Sequence, residues 1–250
     1  MDRDELQRYI NTLLSIDQFR DYCPNGLQVA GSETVSHIVS GVTASQALID
    51  AAIEQQADVL LVHHGFFWKG ESPCITGLKG QRIAALMANN INLMAYHLPL
   101  DAHIELGNNS QLAKLLNLYI EERVGDQAIV CVGKLPEPMS PAQLSSHIET
   151  ALQRQPLHIG HDHSDKPIQK VAWCTGAAQS YLEQAIELGA DAFITGEISE
   201  QTVHTAREAG IHFYAAGHHA TERYGVKALG EHLAEHFSLR HSFIDIDNPV

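Results

Sequence analysis

The chain contains no uninterrupted apolar run near the ~20 residues a membrane-spanning helix needs. Its opening, MDRDELQRYINTLLS, lacks the apolar stretch of a secretory leader and reads as an amphipathic helix that starts acidic. The expectation is a cytoplasmic protein with no membrane partner. Cysteine is scarce. Cys23, Cys74, Cys131 and Cys174 are scattered without a CxxC pair, which argues against a disulfide framework or a thiolate zinc site. Basic residues are also few: 16 Lys and Arg stand against 30 Asp and Glu, a net charge of −14. Non-specific nucleic-acid binding requires clustered Lys and Arg to neutralise phosphates, so it is not expected. An anionic small substrate stays open, because bound cations can supply local positive charge. There is no Walker A sequence, no low-complexity linker and no run of like charge.

What the chain does have is histidine. Its sixteen histidines equal its Lys and Arg together, within 250 residues that are 44% hydrophobic. That apolar content suits one large or two modest domains with a real core.

Two segments read as copies of one another. VSGVTASQALIDAAIEQQADVLLVHH runs from Val39 to His64, and VAWCTGAAQSYLEQAIELGADAFITGE from Val171 to Glu197. With one residue inserted near Gly176, Thr43 faces Thr175, Ile53 faces Ile186, Glu54 faces Glu187 and Asp58 faces Asp191. Each copy reads strand, helix, strand. The short apolar runs ADVLLV and ADAFIT suit strands buried on both faces of a parallel sheet. After the first copy come a helix from Gln81 to Asn89, the strand INLMAY, and His97 with Asp101 four residues on. After the second come a helix from Glu200 to Ala209, the strand IHFYAAG, and His218 with Glu222 four residues on. Helices over Asn109 to Leu116 and Thr221 to His236 follow. A β-α-β-α-β pattern repeated twice implies an α/β fold of two related lobes. The first is expected over residues 1–124, carrying His63, His64 and Asp101, and the second over 125–250, carrying His218 and Glu222. Residues 125–170, with a strand AIVCVGKL and a helix capped by Ser140 with Pro141 at its first position, belong to the second lobe or bridge the two. Pro24, Asn25 and Gly26 mark a turn.

The chemistry concentrates just after the strands. Adjacent residues in a strand point to opposite faces, so His63 and His64 can share a centre only where the backbone is released at the strand end, helped by Gly65. In open α/β sheets, ligands gather at those C-terminal ends. His218 and Glu222 share a helix face if that segment is helical, whereas Pro99 argues for a turn between His97 and Asp101. A lone His-His pair is more often a packing feature, and an isolated HxxxE a surface pair. Here three such signals agree in position, and two recur in the copies. Imidazole with carboxylate suits two divalent ions of Zn, Mn, Fe, Co or Ni. Glu197 takes the place of His64 in the second copy, as a group behind the ligands, a proton carrier or an ordinary turn carboxylate. His219 is an alternative to His218. His158, His161 and His163 read as a solvated polar loop, and His232, His236 and His241 as surface.

NGLQV at 25–29, LLVHHGFFWKG at 60–70, HLPLDAH and GNN within 97–109, TGE at 195–197 and GHHATERYGVKAL at 217–229 together resemble the Nif-three-like dinuclear metal centre family. Its members also carry the name GTP cyclohydrolase 1 type 2 homologue. The likeness runs nearly the whole chain and is greatest to the short bacterial YbgI-type members. It implies two interlinked α/β lobes with mixed sheets, a di-metal site between them, and a toroidal homohexamer of three dimers. Carried over residue by residue, the family's ligands fall on His63, His64, Asp101, His218 and Glu222. His97 matches a histidine beside the metals, a ligand or a proton carrier. The name implies a metal-dependent hydrolase of a small molecule: GTP, or another cyclic amide or phosphoester. His97 is then the first group for proton transfer and Glu197 the second, and Lys69, Lys79, Arg82 and Arg223 are available to phosphate. The alternative is a non-catalytic metal-trafficking or regulatory scaffold.

Overall fold

The first helix begins where the sequence supplies a cap: the Asp2 side chain accepts the Glu5 backbone N–H, and α1 runs Arg3–Leu13. The computed structural model describes residues 1–160 and 166–250, so the expected loop histidines His161 and His163 lie outside the described residues. After α1 come β1 (Gly26–Val29), β2 (His37–Thr43), α2 (Gln46–Glu54), β3 (Val59–His64), α3 (Gly77–Ala88), β4 (Asn92–Ala95) and α4 (Leu98–Ala102). Then follow α5 (Asn108–Leu115), β5 (Tyr119–Val124), β6 (Val130–Met139), α6 (Pro141–Leu152), β7 (Leu157–Ile159) and β8 (Ile168–Trp173). The chain continues with α7 (Leu182–Glu187), β9 (Ala192–Thr195), α8 (Glu200–Ala209), β10 (His212–Ala215), α9 (His218–Phe237) and β11 (Arg240–Phe243).

The elements fall into two units. One holds residues 1–107 and 225–247, the other 108–224 and 248–250. Residues 108–124 thus count with the second unit and residues 225–247 with the first. Helix α9 supplies residues 218–224 to the second unit and 225–237 to the first.

In the first unit the strand order is β1-β4-β3-β2-β11, with β2, β3, β4 and β11 parallel and β1 antiparallel to β4. One face of the sheet packs on Leu48 and Ile49 of α2 and Ile83 and Leu86 of α3. The other packs on Leu6 and Ile10 of α1 and on Val226, Leu229 and Leu233 of α9. Burial on both faces explains the uninterrupted run VLLV in β3. In the second unit the order is β5-β6-β8-β9-β10-β7, in which β8, β9 and β10 are parallel while β5, β6 and β7 add antiparallel pairings. Leu144, Ile148 and Leu152 of α6 share its core with Trp173, Ile194 and Tyr214. Both sheets are mixed, and the fold is α/β.

The repeat is physical. β2-α2-β3-α3-β4 and β8-α7-β9-α8-β10 have the same order and the same parallel pairings. Asp58 and Asp191, matched in the sequence, do the same work. Asp58 Oδ2 accepts the backbone N–H groups of Ser36 at 2.7 Å and His37 at 3.0 Å. Asp191 Oδ2 accepts those of Gln169 at 3.1 Å and Lys170 at 2.9 Å. Each carboxylate thus satisfies donors where a central strand begins.

Several expectations give way. Pro99 does not prevent a helix: it lies in the first turn of α4, where a missing N–H leaves no intrahelical bond unmade. Gly26, expected in a turn with Pro24 and Asn25, is instead the first residue of strand β1. His158 belongs to strand β7 and stacks on Tyr214, with ring centroids 4.5 Å apart, instead of sitting in a solvated loop. His241 is not a surface group, since its Nε2 lies 2.7 Å from Ser40 Oγ and its ring fills the space above Gly230.

Candidate metal centre

In the first unit, parallel pairing brings the ends of β3 and β4 side by side. Both His63 and His64 lie within β3 rather than beyond it. His63 is fully buried, and its Nδ1 donates to the Tyr96 carbonyl at 2.9 Å. A carbonyl can only accept, so Nδ1 carries the proton and Nε2 of the neutral ring is a lone pair. That Nε2 lies 3.4 Å from Asp101 Oδ1, delivered by α4. His64 is half-buried, with Nδ1 3.1 Å from the Thr43 hydroxyl at the end of β2. The two rings converge, with centroids 4.6 Å apart. His97 follows β4, its ring 5.1 Å from His63 and 5.7 Å from His64. His63, His64 and His97 each offer a nitrogen, all within 4.8 Å of one another.

His97 is held from outside the repeat. Its Nδ1 donates to Asp21 Oδ1 at 2.7 Å, and its backbone N–H to Asn25 Oδ1 at 2.8 Å. Burial alone would raise the Asp21 carboxyl, but its bonds from His97, Asn25 and Tyr22 outweigh that and hold it below the ordinary carboxylate value. Cys23 is nearby. Burial, helped by the Asp21 charge, pushes its thiol up to about 12, so it remains a neutral thiol. Trp68 and Tyr22 border His97, at centroid distances of 5.0 and 6.5 Å.

In the second unit, Gly217 at φ +100° turns the chain from β10 into α9, and His218 starts the helix. The four-residue spacing puts His218 and Glu222 on one helix face. Nε2 lies 3.1 Å from Glu222 Oε2, and Nδ1 donates to Glu197 Oε1 at 2.7 Å. Burial alone would lower the His218 pKa, yet the Glu222 and Glu197 carboxylates outweigh it and raise it to about 9. Glu222 is buried at 3% exposure. Gly176, at φ +71°, leaves room for it, because a Cβ there would run into Glu222 Oε1 and come within 3.3 Å of His218 Nε2. His219, the alternative to His218, is buried, and its backbone N–H bonds the Val250 carbonyl at 3.0 Å.

Each expected site residue therefore has a defined place within its own unit. His63, His64, His97 and Asp101 come together in the first, and His218, Glu222 and Glu197 in the second. All four of these imidazoles are engaged through Nδ1. In two of them Nε2 faces a buried carboxylate, an arrangement that requires a proton or a cation between the groups. Imidazole nitrogens with carboxylate oxygens form a donor set that can hold divalent transition ions. Of the cations available for phosphate, Lys79 pairs with Glu71 at 3.7 Å, and Arg223 donates to the Leu152 carbonyl. Sequence reasoning missed Asp21, Thr43 and Gly176. Thr43 ends the first strand of one copy and Gly176 follows that of the other, a signal that could have found them. Asp21 lies outside the repeat and gave none.

The family model described as Duf34/NIF3 (NGG1p interacting factor 3) matches residues 1–249. A Pseudomonas aeruginosa protein named GTP cyclohydrolase 1 type 2 homolog is 55% identical over 250 residues, covering 99% of this chain and 96% of its own length. The solved structure titled "Structural genomics, protein ybgI, unknown function" superimposes with a TM-score of 0.97 at 54% identity, covering 100% of both chains. The solved structure of TTHA1606 from Thermus thermophilus superimposes at 0.90 with 37% identity, again over 100% of both.

Proposed function

This chain belongs to the Duf34/NIF3 family, and we propose that it is a dinuclear divalent-metal protein acting as a metal-dependent hydrolase. The observation that carries this is the shared tethering of the imidazoles at Nδ1, with Nε2 of His63 and of His218 turned to buried carboxylates. The proposed ligands are His63, His64 and Asp101 from the first unit and His218 and Glu222 from the second, joined around two ions. Five groups, two of them carboxylates able to bridge, suit a pair of ions roughly 3.5–4 Å apart. When bound, such ions supply Lewis acidity and a nucleophilic water near neutral pH.

The chain's own residues do the rest. Asp101 and Glu222 offset the ionic charge from buried positions. His97 keeps Nε2 available to accept or return a proton, and Glu197 holds His218 through Nδ1 and is the second group for proton transfer. The substrate class is a cyclic amide or phosphoester, with GTP the first to test, since relatives carry the name GTP cyclohydrolase 1 type 2 homolog. The proposed setting is the cytoplasm and the proposed assembly a toroidal hexamer of three dimers. Light scattering should then return six times the 27.5 kDa of one chain.

The decisive experiment is elemental analysis of protein purified without chelators, followed by incubation with GTP and a panel of cyclic amides and phosphoesters. Two ions per chain, with turnover that Asp101→Ala abolishes, is the expected result. Transfer of metal to an acceptor protein with no turnover on any substrate would replace the hydrolase by a trafficking scaffold.

A further inference from the structure

Asp21 belongs to neither repeat copy and to no helix or strand. Its side chain is nonetheless only 4% exposed. Oδ1 accepts the Tyr22 N–H at 2.6 Å and His97 Nδ1 at 2.7 Å, while Oδ2 accepts the Leu98 N–H and Asn25 Nδ2, each at 2.9 Å. A carboxylate has about four lone-pair positions, and all are taken by donors. Asp21 thus has no capacity left for an ion, although it forms a ligand-like group with Cys23 and His97. Its role is to anchor.

The effect on His97 is specific. An acceptor at Nδ1 fixes the proton on that nitrogen and makes Nε2 the lone pair. The His97 backbone N–H is held as well, by Asn25, so segment 21–25 sets both the position and the tautomer of the ring. The free side of the ring lies with His63 and His64, where the three nitrogens fall within 4.8 Å.

We propose that Asp21 is a positioning residue, which holds His97 as its Nδ1–H tautomer and presents the Nε2 lone pair as a hydrogen-bond acceptor beside His63 and His64. What that acceptor serves rests on the hydrolase reading; the tautomer does not.

Long-range ¹H–¹⁵N correlation of the histidine rings tests the tautomer in the metal-free, full-length chain. The expected result is Nδ1–H for His97 in the wild type, loss of that tautomer in Asp21→Asn, and its return in Asp21→Glu. Asparagine cannot substitute, since its amide nitrogen would face two of the four donors in either orientation. A wild-type His97 protonated at Nε2 overturns the proposal even if neither variant folds, as does an unchanged tautomer in Asp21→Asn. Cobalt(II) titration separates a hydrogen-bond acceptor from a ligand. Groups anchoring a metal ligand typically cost 10–100-fold in affinity when removed. Asp21→Asn is expected to keep cobalt affinity within about threefold of the wild type, well short of that range. A tenfold or greater loss would make His97 a ligand and overturn the acceptor role. Wild-type protein that takes up no cobalt would defeat the metal-centre reading and leave the tautomer result standing.

Discussion

Gly176 shows how much of the second half-site depends on a residue with no chemistry of its own. Two effects meet there: φ is +71°, and a Cβ would press on Glu222. Gly189 separates them, because it has φ +67° with nothing within 4 Å of a Cβ. Alanine at either position carries the left-handed backbone penalty of about 1–2 kcal/mol. For a chain of this size that lowers Tm by roughly 2–4 °C per kcal/mol. Gly176→Ala is expected to melt lower than Gly189→Ala and to weaken cobalt binding, whereas Gly189→Ala leaves cobalt binding unchanged. Equal cobalt affinity in the two variants would mean that Glu222 is not held by this close approach. The proposed ligands could be singled out because histidine and carboxylate after a predicted strand, repeated in two copies, is a pattern. Gly176 and Asp21 were not, since each acts through a neighbour that only the fold supplies.

At the scale of elements, the repeat was readable from apolar runs and matched positions, and Asp58 and Asp191 are its clearest physical test. Burial alone would raise the Asp58 carboxyl, but the Ser36 and His37 bonds outweigh it, so its folded pKa lies below the ordinary value of 3.8. The stabilisation is therefore complete above the unfolded pKa and is lost as pH falls through the lower, folded one. Asp58→Ala leaves strand N–H groups without their acceptor and is expected to cost about 1–3 kcal/mol near pH 7. Denaturant unfolding at several pH values should show the gap between wild type and variant narrowing below about pH 4. A gap that does not change with pH would mean packing, not the charge, holds the strand start. Other elements were hidden for physical reasons. Helix α4 has five residues and a proline, too little sequence for a period to show. β1 and β11 have four residues each, and sheet neighbours far along the chain stabilise them: β4 for one and β2 for the other.

For the whole molecule, the division at 107/108 with a return at 225–247 could not be read from the sequence, because α9 is one uninterrupted 20-residue helix. Its first five residues include His218 and Glu222, while Val226, Leu229 and Leu233 complete the first unit's core. Displacing that helix would therefore disturb one unit's core and the other's proposed ligands together. If the two ions draw ligands from both units, as proposed, their binding must stabilise the entire chain. A ligand at 1,000 times its Kd adds about 4.1 kcal/mol to the folded state. Chelator treatment should then lower Tm by roughly 2–4 °C for each kcal/mol removed, in a single transition. Asp101→Ala and Glu222→Ala should each shrink that shift, although their side chains belong to different units. Should the chelator instead split the melt in two, with Asp101→Ala affecting one step and Glu222→Ala the other, the half-sites bind separately and the joint centre fails.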